Sequence, residues 1–445
     1  MSSSTADVIV IGAGFAGLMA AYRLSGAGMR VVILEARERL GGRAHTVQDD
    51  ARGVPIELGA EFIHGTPPET FTLARQAGLV MMELKGEYWL AVKGAIQNDS
   101  EDDGTDVIFA GLDGLSDDLS FEEYVRTRFS GDDWQEARTS AISFVEGYHA
   151  ARAERISALA VREMDQAGEA IQSEMDFKLA AGYGALVEWL RVQLEQAGVE
   201  ICTGRVVREI RWSAGSVSIT AEPADGKAKS SFQAARAVIT LPLGVLKAKA
   251  DEPGGVRFTP DLAEKRAAME QIDMGEAARI TLRFRKRFWE EPLPIAKPSG
   301  KPLFLLVDHP FFPVWWTPTP LDWPILTGWV GGTQASKLRG ESGRVWLDQA
   351  VDALSQLFGL ATETIRGEIE AVYHHNWMSD PYARGAYSYP AVGGLNAASV
   401  LAEPVADTLF FAGEATHSGG HMGTVHGAIT TGERAARQIL EKWKR

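Results

Sequence analysis

A chain of 445 residues with 45% hydrophobic and 23% charged side chains has ordinary globular composition. It is too long for one compact core, so two or three domains are expected. The formal net charge of -14 argues against nucleic acid and against anionic membrane surfaces as partners. The single cysteine, Cys202, excludes a disulfide framework and a thiolate metal cluster.

Residues 7–11, DVIVI, form an apolar β-branched run that predicts a strand. GAGFAG and LMAAYRLSGAG follow as glycine turn and helix, and residues 30–35 (RVVILE) predict a second buried strand. Strand, helix and strand within about 30 residues make a βαβ unit with a parallel sheet. Gly12, Gly14 and Gly17 satisfy G-x-G-x-x-G. The first allows a tight turn, the second admits a pyrophosphate, and the third lets helix pack on strand. The helix start then offers its N–H groups to the phosphates. Glu35 closes the second strand, where a carboxylate accepts from ribose hydroxyls and repels a 2′-phosphate. The apolar run of residues 8–22 is this unit rather than a signal peptide, since no basic region precedes it. No stretch approaches the roughly 20 apolar residues of a membrane span. A cytoplasmic protein without a membrane partner is expected.

EARERLGGRAHT (35–46) adds a glycine pair and Arg43, giving room and a fixed guanidinium for a second phosphate. Residues 99–123 contain no basic side chain and read as a solvated acidic loop entering a helix. The pattern from residue 121 to 165 is helical. Residues 277–332 mix strands with an aromatic-rich run that reads as sheet core. TVHGAITTGERAARQILEKWK (424–444) predicts a helix with Ala428, Ile429, Ala435 and Ile439 on its buried stripe. Just before it stand His417, His421 and His426. An i, i+4 histidine pair binds metal from a helix, and Ser418, Gly419 and Gly420 make a helix between the first two improbable. No metal site is expected.

From the glycine pair onward the sequence resembles the flavin amine oxidase family, which includes monoamine oxidases, polyamine oxidases and lysine-specific histone demethylases. The likeness runs through ELGAEFIHG (57–65), GYGALVEWL (182–190), VEICTGRVVREIRW (199–212), AVITLPLGVLK (237–247), DPYARGAYSYPAVGG (380–394) and LFFAGEATHSGGHMGTVHGA (409–428). It implies a discontinuous Rossmann-like FAD-binding domain of residues 1–68, 182–262 and 385–445. It also implies an α+β substrate-binding domain of residues 69–181 and 263–384, with a mixed sheet and a helical part at about 119–175. On the nucleotide half of FAD it puts Gly12, Gly14, Ala16, Gly17, Glu35, Ala36, Arg37, Gly42 and Arg43, with Val207 holding adenine through backbone groups. Along the flavin ring it lays Gly59, Ala60 and Glu61. Gly413 and Glu414 would meet the ribityl–phosphate region, with Thr424 and Val425 beside the ring and the following helix dipole aimed at it.

The implied reaction is amine oxidation. The carbon beside the nitrogen gives a hydride to flavin N5, the imine is hydrolysed to an aldehyde or ketone, and molecular oxygen becomes hydrogen peroxide. Tyr389 would line the substrate side of the flavin, with Tyr387 the alternative, and Thr424 stands where a second cage tyrosine would oppose it. Trp377 matches a tryptophan near the flavin edge. His64 matches a histidine beside the substrate channel and could accept or relay a proton. Two positions depart from the family pattern. Ala386 replaces a cysteine that attaches flavin in some members, so non-covalent FAD is expected. Arg279 replaces a lysine that contacts flavin N5 through water, and arginine cannot give up a proton. Lys301 is a candidate to fill that space from another strand. Arg279 also leaves open an L-amino-acid oxidase or flavin desaturase, its charge gripping a substrate carboxylate, or a weakly catalytic flavin-binding protein. No helical hairpin insertion of the demethylase kind is visible, and a homodimer stays open.

Overall fold

The computed structural model describes residues 5–92, 94–98, 104–223, 226 and 228–443. Thr5–Ile11 is a strand whose residues 8 to 11 are at most 1% exposed, as expected of a central strand covered on both faces. It pairs in parallel with Val31–Leu34 on one side and Ser230–Ile239 on the other. Glu200–Cys202 extends the sheet beyond Val31–Leu34. The far edge of Ser230–Ile239 is shared: its start pairs antiparallel with Ser216–Glu222, and its end runs parallel with Leu409–Phe411. Segments separated by hundreds of residues thus complete one Rossmann-like sheet. Helices Phe15–Gly26, Tyr183–Gln196 and Val425–Trp443 bury their apolar stripes against one face. The last crosses the first closely at Gly432, where an added Cβ would lie 2.2 Å from the Ala16 carbonyl oxygen.

A second, mixed sheet has the order Ile369–His374, Ala277–Phe284, Ile325–Gly331, Val314–Trp316, Pro302–Leu306, Glu87–Val92 and Ala95–Asn98. All eight residues of Ala277–Phe284 are buried. The aromatic run divides by strand alternation. Trp315 packs in the core with helix Gly343–Phe358, while Trp316 turns to the opposite face and reaches Glu61. The family-like architecture of a discontinuous Rossmann-like sheet plus an α+β part is therefore present.

Helices Phe121–Arg128, Gln135–His149 and Ala158–Ala170 pack around Phe121, Tyr124, Val125 and Val145. Two of them start with serine caps, Ser120 Oγ accepting from Glu123 N and Ser157 Oγ from Ala160 N. Here the acidic stretch differs from expectation. Residues 99–103 lie outside the described residues, but Thr105–Ala110 is a helix and buries Ile108 in this core. Its apolar side chains outweighed the acidic ones around them.

One small sheet positions the site. Asp176–Leu179 pairs antiparallel with Ile63–His64 on one edge and Met81–Glu83 on the other. Phe177 and Leu179 join the apolar cluster packed against the first sheet, so Asp176 and Lys178 share the opposite face. No helix among the described residues is long and apolar enough to cross a membrane.

Candidate active site

The glycine turn forms a cradle. Gly12 has φ +104°, and a Cβ there would lie 2.6 Å from Thr240 Oγ1. A Cβ on Gly17 would lie 2.0 Å from the Gly12 carbonyl oxygen, yet one on Gly14 would meet nothing within 4 Å. Gly14 caps Phe15–Gly26 without a side-chain acceptor, so the first-turn N–H groups around Ala16 are left for a ligand. Gly41 N donates to the Ala13 carbonyl at 2.8 Å, which brings Gly42 and Arg43 alongside. Glu35 is buried and accepts from Ala13 N at 2.8 Å and Arg37 N at 2.9 Å, each oxygen keeping capacity for another donor. Ala36 lies between them in this turn, and Arg37 pairs with Asp380 at 2.8 Å. The buried Arg39 Nη2 has no partner among the described residues and suits an anion. Val207 is buried on Val206–Ser213, with an irregularity in pairing just after it. These features fit a dinucleotide.

Opposite the cradle, Glu414 is a buried hub. Its Oε1 accepts from Arg43 Nη1 at 2.8 Å, and its Oε2 from Ser388 Oγ at 2.5 Å and Gly423 N at 3.0 Å. Gly413, at φ +124°, donates its N–H to Thr431 Oγ1. Thr424 Oγ1 donates to the His421 carbonyl and accepts from Gly427 N, so this threonine caps the last helix, whose first residue is Val425. The hydroxyl is committed to the backbone.

The segment around Gly59 is pinned from several sides. Trp377 Nε1 donates to the Leu58 carbonyl at 2.7 Å, and Ala60 N to the Arg43 carbonyl. Arg279 Nη1 donates to the Gly59 carbonyl at 2.8 Å and its Nη2 to Glu61 Oε2 at 2.5 Å. Lys178 Nζ lies 3.1 Å from Glu61 Oε1, and Trp316 Nε1 donates to Glu61 Oε2. Arg279 also stacks over the Trp316 ring at 5.3 Å. Burial alone would raise the Glu61 pKa, but Lys178 and Arg279 overcome it and hold the carboxyl down at about 2.

Nearby, Glu57 Oε1 accepts from Tyr183 N at 2.6 Å and its Oε2 from Thr46 Oγ1 at 2.8 Å. Burial outweighs these bonds and pushes its pKa up to about 7. Its folded value lies above the ordinary 4.5, so the native state holds more protons between those values and stability falls as pH rises through them. Glu61 acts in the opposite sense, contributing stability that is lost as pH falls from 4.5 toward 2. Glu57→Gln is expected to remove the decline in thermal midpoint between about pH 5 and 7, which melting curves at fixed ionic strength check.

On the open side, His64 Nδ1 lies 2.6 Å from Asp176 Oδ1, and its ring neighbours Phe62 and Tyr148. Tyr387 lies against Gly423, and its hydroxyl donates to the Tyr148 carbonyl at 2.6 Å. Tyr389 departs from expectation. It sits in Ser388–Pro390, which pairs with Ile272–Met274, and its ring joins the helical core while its hydroxyl accepts from Arg152 N. Tyr387 precedes the strand, so the two rings do not share a side. Lys301 is also excluded from the site: its Nζ pairs with Asp322 at 3.2 Å at the surface. The histidines do cluster, with ring centroids 5.4 Å and 4.6 Å apart. His417 Nδ1 accepts from Gly419 N and His421 N, and burial holds the His417 pKa down at about 4. No group of three His, Cys, Asp or Glu among the described residues is arranged to hold a metal ion.

Lys178, Glu57 and Trp316 were not singled out by sequence. The alternation in DFKL puts Lys178 opposite two apolar neighbours, but only strand pairing sets it on Glu61.

The fold and cradle define a protein of Rossmann type whose glycine turn fits a nucleotide, joined to a second, mixed sheet. The chain belongs to the flavin-containing amine oxidoreductase family, whose sequence profile matches residues 15–85 and 103–440. It is 29% identical to polyamine oxidase 2 of Arabidopsis thaliana, over 100% of this chain and 90% of that protein. It is also 29% identical to lysine-specific histone demethylase 1 homolog 2 of Oryza sativa subsp. japonica, over 98% of this chain but only 57% of the relative's length. In fold it is similar to putrescine oxidase bound to putrescine, at TM-score 0.81 and 20% identity, covering 99% and 100% of the two chains. It is equally similar to cyclohexylamine oxidase from Brevibacterium oxydans, at TM-score 0.81, 21% identity and the same coverage.

Proposed function

We propose that the chain is an FAD-dependent amine oxidase. Bound FAD would supply the two-electron acceptor for a hydride leaving the carbon beside the amine nitrogen. The resulting imine is hydrolysed to an aldehyde or ketone, and dioxygen is reduced to hydrogen peroxide. The observation that carries the amine reading over an amino-acid oxidase or desaturase is the closed fork of Arg279. Its two terminal nitrogens are committed to Gly59 and Glu61, and only its buried Nε lacks a partner. Buried and tied to these two acceptors, Arg279 is committed to the Gly59–Glu61 segment rather than held out as a fork for a substrate carboxylate.

In this reading the cradle from Gly12 to Gly17, with Glu35 and Arg43, holds the nucleotide half of FAD. Gly59, Ala60 and Glu61 would hold the flavin ring, and Trp377 positions them through the Leu58 carbonyl. His64, oriented by Asp176, accepts the proton of the ammonium substrate. Tyr387 supplies the aromatic wall, and Thr424 aims the helix start at the ring. The domain boundaries after residues 68, 181, 262 and 384 belong to the same proposal. FAD is held non-covalently, because Ala386 offers no thiol and Cys202 lies on the outer strand Glu200–Cys202. Denaturation is expected to release free FAD; flavin remaining on the precipitated chain would contradict this.

Anaerobic mixing with primary and secondary amines and with L-amino acids tests the activity. Amines are expected to bleach the flavin, and peroxide to form when air is admitted. Bleaching by amino acids alone would replace the amine reading with the amino-acid one.

A further inference from the structure

Behind the Gly59–Glu61 segment lies a cavity of about 40 Å³, bordered by Glu57, Glu61, Lys178, Arg279, Thr281 and Thr327. It has room for at least one water and more than enough polar partners to hold it. Four of the lining groups ionise, and two of them cannot exchange protons. The Arg279 guanidinium stays protonated throughout. Glu61 is held ionised between two cations.

Lys178 and Glu57 remain. The Lys178 ammonium carries three donors, and Glu61 Oε1 accepts one of them at 3.1 Å. Across its strand edge stands Met82, which brings no charge, and Asp176 on the same face is engaged by His64. Glu57 faces Tyr183 N and Thr46 Oγ1, with Glu61 raising and Arg279 lowering its proton affinity. Burial leaves this carboxyl poised near neutral pH, where a proton moves on or off at little cost. One strand, Asp176–Leu179, therefore serves two sides: Asp176 orients His64, and Lys178 reaches the segment along which the ring would lie.

We propose that Lys178 and Glu57, joined through water in this cavity, form the proton store of the reaction centre, with Lys178 delivering the proton that dioxygen needs to leave as hydrogen peroxide. This rests on the oxidase reading above. Bound reduced flavin would supply dioxygen with two electrons and one proton, and the Lys178 ammonium gives the second proton. The neutral amine regains a proton from the Glu57 carboxylic acid across the cavity water, and solvent reprotonates Glu57.

The test reduces the bound flavin photochemically, with no amine present, then mixes it with dioxygen across about pH 6 to 9 and follows flavin absorbance. Lys178→Met is expected to slow reoxidation about 100-fold, and Glu57→Gln to remove its pH dependence near neutrality. Reoxidation of Lys178→Met within about threefold of the unaltered protein overturns the proposal. Because no amine is used, failure of every amine to bleach the flavin would sink the amine reading while leaving this result legible. Should Lys178→Met not retain flavin, infrared difference spectra of the unaltered holoprotein decide. Followed in time during reoxidation, a transient loss of a protonated carboxyl band that recovers as solvent reprotonates Glu57 is expected, and a carboxyl band that stays constant overturns the proposal.

Discussion

Glu61→Leu is expected to destabilise the protein by about 3–5 kcal/mol, the cost of leaving buried charges without their partner. Lys178 and Arg279 both rest on this one carboxylate, and both are buried, at 8% and 6% exposure. Removing it sets two cations against each other in a site that water barely reaches. The Trp316 indole N–H loses its acceptor at the same time. Denaturant midpoints with FAD at saturation measure the effect. The triple change Glu61→Met, Lys178→Met and Arg279→Met is expected to recover most of that stability, because it removes the whole charged group rather than one member. Recovery of stability without recovery of activity would separate the cluster's chemistry from its structural cost. A single Glu61→Leu variant as stable as the parent would show that the cluster is solvated and that its pairing is weak.

Gly59→Ala is expected to abolish FAD binding. A Cβ there would lie 1.8 Å from the Arg43 carbonyl oxygen and 3.3 Å from the Trp377 ring. Neither neighbour can yield freely: Arg43 is bonded to Ala386 and Glu414, and Trp377 to Leu58. The segment must move away from the nucleotide cradle, at an overpacking cost of about 1–3 kcal/mol or more. Flavin absorbance retained after gel filtration reads the outcome directly. A variant that keeps its flavin would mean that residues 59–61 do not run along the ring. Gly14→Ala makes a useful contrast, since a Cβ there meets no protein atom within 4 Å. It should fold normally and lose affinity for the nucleotide alone.

Much of this was readable from local pattern. The βαβ start, the glycine turn, Glu35 and the final amphipathic helix each follow from residues close in sequence, and the structure has them where the pattern puts them. The acidic stretch is less legible, because its charges mask the apolar residues that bury in the helical core. The family resemblance points to Tyr389 with Tyr387 as the alternative, but the strand begins after Tyr387, and its pairing with Ile272–Met274 turns Tyr389 to the helices. Lys301 is a candidate to replace the family lysine from another strand, but an exposed Asp322 holds it at the surface.

The sequence by itself determined the glycine turn of the βαβ start and the family, and it singled out Arg279, because each depends on residue type at fixed spacings. Tertiary structure alone decided what surrounds that arginine. Glu57 and Glu61 share one stretch, but Lys178 and Trp316 come from two others far along the chain, and no spacing rule links the three. Their meeting depends on Asp176–Leu179 pairing with Ile63–His64 and on Trp316 facing inward from the second sheet. Charges that would be indifferent in water become a mutually dependent set once buried, since each carboxylate or cation must then find its partner within the protein.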